Sequence, residues 1–498
     1  MKKYKIHLWA LVLALGFSSC DDYVDINNSP NNPTADAVAP ELSLAGALNQ
    51  PFREFAVRPN TLGNLFMNNW GGNTNSFTGI YVTEFNLDID NSFYARIWEN
   101  LYLSTLTYQD IIDYPSTDYD NHKAISKIMK TFYFQYLVDL YGDIPYSEAH
   151  DVTNPTPAYD DDQAIYRNLV VQLEEAVALI ENATPNTRAV GGEDIIFQGD
   201  MENWIKLANT IKLKLLIRES GVAASAAYIS AEFQELADAN AEFITEDVTI
   251  NPGYSNASNE RQNPFYNTYG FQTDEATPRS GRSSTVATQH AIDFLDGTTT
   301  GIPDSRLGRI YSTDGTPGSY TGVIQGQDGI QAPDNLSLLG PGIVRSSSQD
   351  GYIFTAAESY FLQSEAAFKG YLGGNAKDLF ENGITSSYVL LGLTIAQADA
   401  YITASNGINK IGWDGSANKI EAIITQKWIA LNSINGIESF IEYNRTGFPV
   451  TPLALTALKT AKPKRLLYPV SEYRGNTANV PNQTQDDAFT TGVFWDVN

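Results

Sequence analysis

The chain has 498 residues, a formal net charge of -26 and a single cysteine. Such acidity excludes a nucleic-acid binder, which neutralises phosphates with clustered Lys and Arg, and excludes electrostatic attachment to anionic lipid. One Cys and four His leave neither a disulfide framework nor a structural zinc cluster, and no cofactor is expected; calcium could bind among the many carboxylates, with no EF-hand spacing visible.

Lys2, Lys3 and Lys5 precede an apolar run from Ile6 to Phe17. That run is shorter than the roughly 20 residues a bilayer requires, so it reads as the core of a secretory signal peptide. Ser18 and Ser19 follow, then Cys20. The arrangement resembles the lipobox of bacterial lipoproteins, in which the cysteine is acylated and becomes the mature N-terminus; Phe17 is larger than the residue usual there. The alternative is an ordinary signal peptide carrying a chance cysteine. Cleavage before Cys20 removes three lysines and takes the charge to about -29. The membrane would then be reached through acyl chains, at about 0.8 kcal/mol per buried CH₂. Asp21 to Pro40, rich in Asp, Asn and Pro, reads as a solvated tether. Asp21 and Asp22 resemble a surface-export signal of some Gram-negative lipoproteins, or are plain linker. The expected division is a signal peptide (1–19), an acylated N-terminus with a flexible tether (20–40) and a folded body (41–498).

The stretch Asn68 to Tyr94 is aromatic and rich in Gly and Asn, and precedes a helix around Trp98. Between Ile125 and Tyr141 apolar residues recur at spacings of three and one, from Ile128, Met129, Phe132 and Tyr133 to Leu140. This predicts a helix with a wide apolar face, stopped by Gly142 and Pro145. Helices are also expected over about 163–180, through Ile165, Leu169, Leu173 and Ile180, and over about 202–218, through Trp204, Leu207, Ile211 and Leu215. Late in the chain the pattern returns from Ala356 to Tyr371, ended by Gly373-Gly374; another helix starts near Ala376, and one is outlined by Ile420, Ile423, Ile424, Trp428 and Leu431. Between these two helical blocks, from Asn251 to Gln349, Gly, Ser, Thr, Asn and Pro predict turns, loops and short strands. Irregular stretches of such length are uncommon without a function, and rigid helices carrying polar-aromatic loops make a binding scaffold.

Several segments together resemble the SusD/RagB family of outer-membrane nutrient-binding lipoproteins, in its second large branch. They are Leu140-Tyr-Gly-Asp-Ile-Pro-Tyr146, Trp204-Ile-Lys-Leu-Ala-Asn209 with Leu213-Lys-Leu-Leu-Ile-Arg218, and Asp304-Ser-Arg-Leu307, in which Ser305 replaces the usual proline. The helix around Ser364-Glu-Ala-Ala367 follows, then Gln426-Lys-Trp-Ile-Ala430, Tyr443-Asn-Arg-Thr-Gly-Phe-Pro449, where Asn444 replaces a first arginine, and Lys464-Arg-Leu-Leu-Tyr-Pro469 with Glu472 and Asn476. They stand in family order. The resemblance implies a mainly α, single SusD-like domain of tetratricopeptide-like helix pairs, with a loop-rich irregular half folded against them. It also implies a partner, a SusC-like TonB-dependent transporter over which the lipoprotein sits as a hinged lid, delivering an oligosaccharide or other oligomeric nutrient.

A sugar offers an apolar C–H face and a ring of hydroxyls; aromatic rings suit the first, and Asn, Gln, Asp and Arg the second. Two loop clusters meet this description. One comprises Trp70, Asn73, Asn75, Phe77 and Tyr81; the other comprises Tyr254, Arg261, Gln262, Phe265, Tyr266, Tyr269, Phe271 and Arg279. Trp70 and Tyr266 lead them. Loop aromatics also anchor loops to a core, which is the competing use. Asp143, Glu365, Trp428, Arg445 and Asn476 lie in the shared motifs and are expected in structural roles, with Asp143 and Asn476 capping turns or helices and Arg445 tying down a loop. Two other functions compete. A secreted glycoside hydrolase would need two carboxylates flanking the scissile bond, and no Gly-x-Ser-x-Gly, His-Glu-x-x-His or P-loop signature is present. A helical-repeat adaptor would bind proteins and no glycan. The expectation is a binding protein without a catalytic centre.

Overall fold

The structure is a computed structural model that describes residues 38–77, 79–327 and 335–497. The expected signal peptide, Cys20 and the expected tether up to residue 37 lie outside the described residues. Helix α1 (Pro40–Phe55) starts with proline at its first position, where no backbone N–H is needed, and α2 (Arg58–Phe66) follows. Strand β1 (Trp70–Gly72) and the short α3 (Val82–Asn86) lead to α4 (Ala95–Ile112) and α5 (Asp120–Tyr141). Next come α6 (Asp162–Glu181), α7 (Met201–Glu219) and α8 (Ala226–Asp238). α4 packs on α5, α5 on α6, α6 on α7 and α7 on α8, so the first block is a run of helices in which sequence neighbours pack together. Polar caps define several starts: Asp161 accepts from Ala164 N at 2.9 Å, and Asp200 accepts from the N–H groups of Glu202 and Asn203. α5 is buried on all sides from Ala124 onward apart from Lys127 and Lys130, more than its one-faced pattern predicts, because α1, α4, α6 and α7 all pack around it.

The second block comprises α13 (Ala356–Phe368), α14 (Ala376–Leu390), α15 (Ile395–Ser405), α16 (Lys419–Leu431) and α17 (Gly436–Thr446). α13 packs on α14 and α16, α16 on α17, and α17 returns to α2, while α7 meets α13 and welds the blocks together. α2 and α17 approach closely enough that a Cβ on Gly63 would lie 2.1 Å from the backbone of Gly436.

Between the blocks the chain forms β2 (Val248–Ile250), α9 (Pro264–Tyr269), α10 (Ser280–Ser284), β3 (Thr285–Ala287), α11 (Gln289–Leu295), α12 (Leu307–Ile310) and β4 (Gly351–Phe354). β2 pairs antiparallel with β4, Val248 opposite Phe354, so the base of the irregular segment is clamped as a ribbon. β3 pairs antiparallel with β1, Trp70 opposite Ala287 and Gly72 opposite Thr285, and so draws the middle of the chain onto its beginning. Among the described residues no helix is long and apolar enough to cross a membrane.

At the junction of the blocks lies a buried network of charge. Arg218 of α7 pairs with Asp139 of α5 and with Glu438 of α17 at 2.6 Å; Lys214, one turn earlier, bonds Glu358 of α13 at 2.9 Å and Glu438 at 2.6 Å. Lys427 of α16 reaches Glu438 at 2.9 Å and Glu442 at 3.3 Å. Arg445 takes both oxygens of Glu365 at 2.7 Å and also bonds Glu442. Buried charges persist only where each finds partners, and here every cation bridges two or more acids on different turns or helices.

Candidate functional site

The two loop clusters singled out in the sequence, some 200 residues apart, meet at the β1–β3 ribbon. Asn73 N donates to Ser284 O at 2.8 Å and its Nδ2 to Ser283 O at 2.9 Å; the Tyr81 and Thr285 hydroxyls lie 2.7 Å apart. The Trp70 ring sits 4.9 Å from Tyr269 and 6.3 Å from Phe265.

Burial then sorts the candidates. Trp70 is 0 % exposed and its Nε1 donates to Ser433 Oγ at 2.8 Å. Tyr254, Phe265, Tyr266 and Tyr269 are buried as well, and Tyr254 Oη bonds Asn49 at 3.1 Å. In these positions the rings join the loops to the core, and the two leading candidates, Trp70 and Tyr266, are packed as anchors. The reason is the ribbon itself, which turns the Trp70 side of β1 inward. Asn75 is exposed, and Asn73, Phe77, Tyr81 and Arg279 are half-buried at the rim. Arg279 holds the second loop together, its Nη2 bonding Asn267 Oδ1 at 2.6 Å and Gln262 Oε1 at 3.1 Å, while its buried Nε has no partner among the described residues. Arg282, not foreseen from the sequence, lies 4.6 Å over the half-buried ring of Phe271. Asn75, Phe77, Tyr81, Phe271, Arg279 and Arg282 are thus the rings, amide and guanidinium groups that the two loops leave at least partly exposed beside the ribbon, a candidate platform.

The chain around it is strained. Asn68, Tyr81, Leu87 and Tyr94 all adopt left-handed φ between 50° and 56°, which non-glycine residues seldom do without compensation. The compensation is visible: Asn68 Nδ2 bonds Gln325 Oε1 at 3.0 Å and Pro452 O at 3.1 Å, and Tyr94 Oη bonds Glu84 at 2.8 Å. Gln325 in turn donates to Trp70 O at 2.7 Å. Beside these contacts lies a patch of exposed aliphatics. Val82, Ile324, Val450, Leu455 and Leu458 are 46–76 % exposed. Leu455 N bonds Gln325 O and Leu458 N bonds Asn86 O, both at 2.9 Å, which ties the patch to the platform loops.

The shared-motif residues lie elsewhere, in the frame. Asp143 Oδ1 accepts from Asp162 N at 3.0 Å at the start of α6, and Asn476 donates to Pro157 O at 2.8 Å. Asp304 holds Arg306, whose Nη2 reaches Gln426 Oε1 at 2.7 Å, so two distant motifs interlock. Trp428 is buried against Phe294 at 5.1 Å. Arg445 ties helix to helix and not, as expected, a loop. Burial pushes the Glu365 carboxyl up, but Arg445 and Lys369 outweigh it and hold it at about 2. Two acidic groupings remain. Asp143, Asp161 and Asp162 converge at the surface, where burial and then its two acidic neighbours push Asp162 up to about 6 against the opposing N–H of Phe494. Glu174, Glu232 and Glu235 gather around the Lys212 ammonium.

The fold is thus a mainly helical frame carrying an irregular polar-aromatic segment drawn onto its first loop. Residues 31–469 match the family model described as "Starch-binding associating with outer membrane". The chain therefore belongs to the SusD-like family. Among solved structures it is similar to a chitin-binding protein (24 % identity, TM-score 0.74, 92 % of this chain and 100 % of that one). It is similar also to a chitin-binding SusD homologue from Flavobacterium johnsoniae (23 %, 0.74, 91 % and 99 %). A SusD homologue from Bacteroides uniformis gives 22 %, 0.68, 92 % and 99 %. No curated protein matches the chain in sequence.

Proposed function

We propose that the protein is a surface lipoprotein, acylated at Cys20 and tethered through residues 20–40, that captures a neutral oligosaccharide on the platform without cleaving it. It passes the sugar to a SusC-like TonB-dependent transporter seated against the aliphatic patch. The observation that carries this reading is the convergence of two polar-aromatic loops on one ribbon beside exposed aliphatics. Family membership supports the outer-membrane association, and the chitin-binding relatives make N-acetylglucosamine oligomers the first sugars to try. The structural use of the motif carboxylates, with Asp304 and Glu365 buried in ion pairs and Asp143 bonded to the first turn of α6, supports binding over hydrolysis.

Calorimetric titration of the protein with chito- and malto-oligosaccharides tests it. The double variant Asn75→Ala/Arg279→Ala is expected to bind at least tenfold more weakly, with no new reducing ends appearing in either sample. Equal affinity in both proteins, or steady release of reducing ends, refutes the reading. Cys20→Ala is expected to leave the protein in the soluble fraction.

A further inference from the structure

A cleft of about 580 Å³ opens between the C-terminal end of α4, the middle of α5 and loop 146–152. None of its lining residues belongs to the platform. At its floor is Lys130, whose ammonium lies 5.2 Å over the Phe134 ring and 5.9 Å over that of Tyr146. It donates to Gln109 Oε1, and among the described residues it has no carboxylate within ion-pair distance. An ammonium carries three N–H groups, so two are left over. The Gln109 amide also points the other way, its Nε2 donating to both oxygens of the exposed Asp113 at 2.9 Å. A cation and an anion are thereby set on either side of one amide.

The wall opposite is fixed before any ligand arrives. Tyr146 N and Ser147 N donate to Asp160 at 2.9 and 2.8 Å, Tyr146 Oη to Asn168 at 2.7 Å, and Tyr102 Oη to Pro145 O at 2.6 Å. His150 is held at a left-handed φ of 68° with Nε2 3.2 Å from Thr105 Oγ1. Such pre-ordering lowers the entropic cost of binding. Burial brings Lys130 down to about 8, and burial with Lys130 brings His150 down to about 3, so near neutral pH the floor carries one ammonium and a neutral imidazole.

The charges decide the ligand class. Asp110, Asp113 and Asp151 line the cleft around a single ammonium, which disfavours an anion, while Lys130 at the floor disfavours a cation. An apolar molecule would strip water from all of them without replacing its hydrogen bonds. A neutral molecule rich in hydroxyls satisfies both the amine and the carboxylate, and a sugar ring also offers a C–H face to Tyr114 or Tyr146. The volume lies within the roughly 300–1,000 Å³ of small-molecule sites. We infer that this cleft is a second carbohydrate site, separate from the platform, that takes a neutral pyranose unit between Lys130, Asp113 and the tyrosine rings.

The full chain carrying Asn75→Ala/Arg279→Ala is titrated with maltotriose, triacetylchitotriose, the trimer of glucosamine and trigalacturonate. A neutral trisaccharide is expected to bind this platform-disabled protein. Adding Val152→Trp, at a position 86 % exposed at the cleft mouth, or Asp113→Ala, is expected to weaken that binding at least tenfold. Both positions are exposed, so neither change threatens the fold, and circular dichroism checks this. No neutral binding to the platform-disabled protein, binding unmoved by Val152→Trp and Asp113→Ala, or binding of only the charged trimers overturns the inference. These results leave the platform reading intact, since that reading is judged on the Asn75→Ala/Arg279→Ala comparison with the natural chain.

Discussion

Replacing Arg445 with methionine keeps most of the side chain's bulk and removes its charge from between Glu365 and Glu442. In the natural chain Glu365 titrates at about 2 against an ordinary 4.5. At 1.36 kcal/mol per pH unit, a difference of that size contributes ~3 kcal/mol to folding at pH 7. Glu365 is 1 % exposed, so solvent screening takes little from this figure. Lys369 still bonds Glu365 at 2.9 Å and Lys427 still reaches Glu442 at 3.3 Å, which keeps the loss at the lower end of the ~3–5 kcal/mol typical of broken buried pairs. The folded carboxyl is depressed, so its contribution is full above pH 4.5 and fades as pH falls toward 2. Arg445→Met should therefore cost ~3 kcal/mol at pH 7 but only ~1 kcal/mol at pH 3. Urea unfolding followed by both far-UV circular dichroism and tryptophan fluorescence measures it, coincident curves licensing the two-state treatment. Adding Glu365→Gln to the variant should restore at least half the loss at pH 7. A deficit below about 1 kcal/mol at pH 7, or one as large at pH 3, would show that the pair does not hold α13 and α17 together.

Three further outcomes follow from particular contacts. Gly63→Ala places a methyl group against the Gly436 backbone and should destabilise by about 3 kcal/mol, read from the shift in urea midpoint; a change under 1 kcal/mol would mean that α2 and α17 part easily. Trp70→Phe removes the bond to Ser433 and should lower stability by about 1–2 kcal/mol while changing sugar affinity less than twofold, since the ring faces inward. A tenfold affinity loss there would return Trp70 to the ligand surface. Asp162 binds its proton more tightly folded than unfolded, so stability should fall as pH rises from about 4 through 6. Asp162→Asn should lose that dependence, and parallel melting-temperature profiles for the two proteins would refute it.

The helices legible in the sequence were those with an uninterrupted apolar period. Those over 163–180 and 202–218 appear within a residue or two of their predicted ends. α17 was not foreseen because its inward face carries Glu438, Glu442 and Arg445, the polarity that period-based reading assigns to solvent. α1 was hidden by Pro51 inside it, and α8 and α15 are Ala-rich with few apolar anchors. For the candidate site, composition singled out two loops that the structure brings together, but exposure depends on which way β1 and β3 present their side chains. That alternation is set by pairing across 200 residues and is invisible to local pattern. Arg282 had no signal of its own beyond lying three residues after Arg279.

The β1–β3 pairing has a consequence for the order of events during biogenesis. Early residues of the platform meet their partners only after Ala287 is available, and closing so long a loop is slow compared with forming the adjacent helix pairs. Sugar affinity should therefore arise late in refolding, after most helical signal has returned. A chain emerging unfolded through an export channel would carry no competent receptor surface until well over half its length was across.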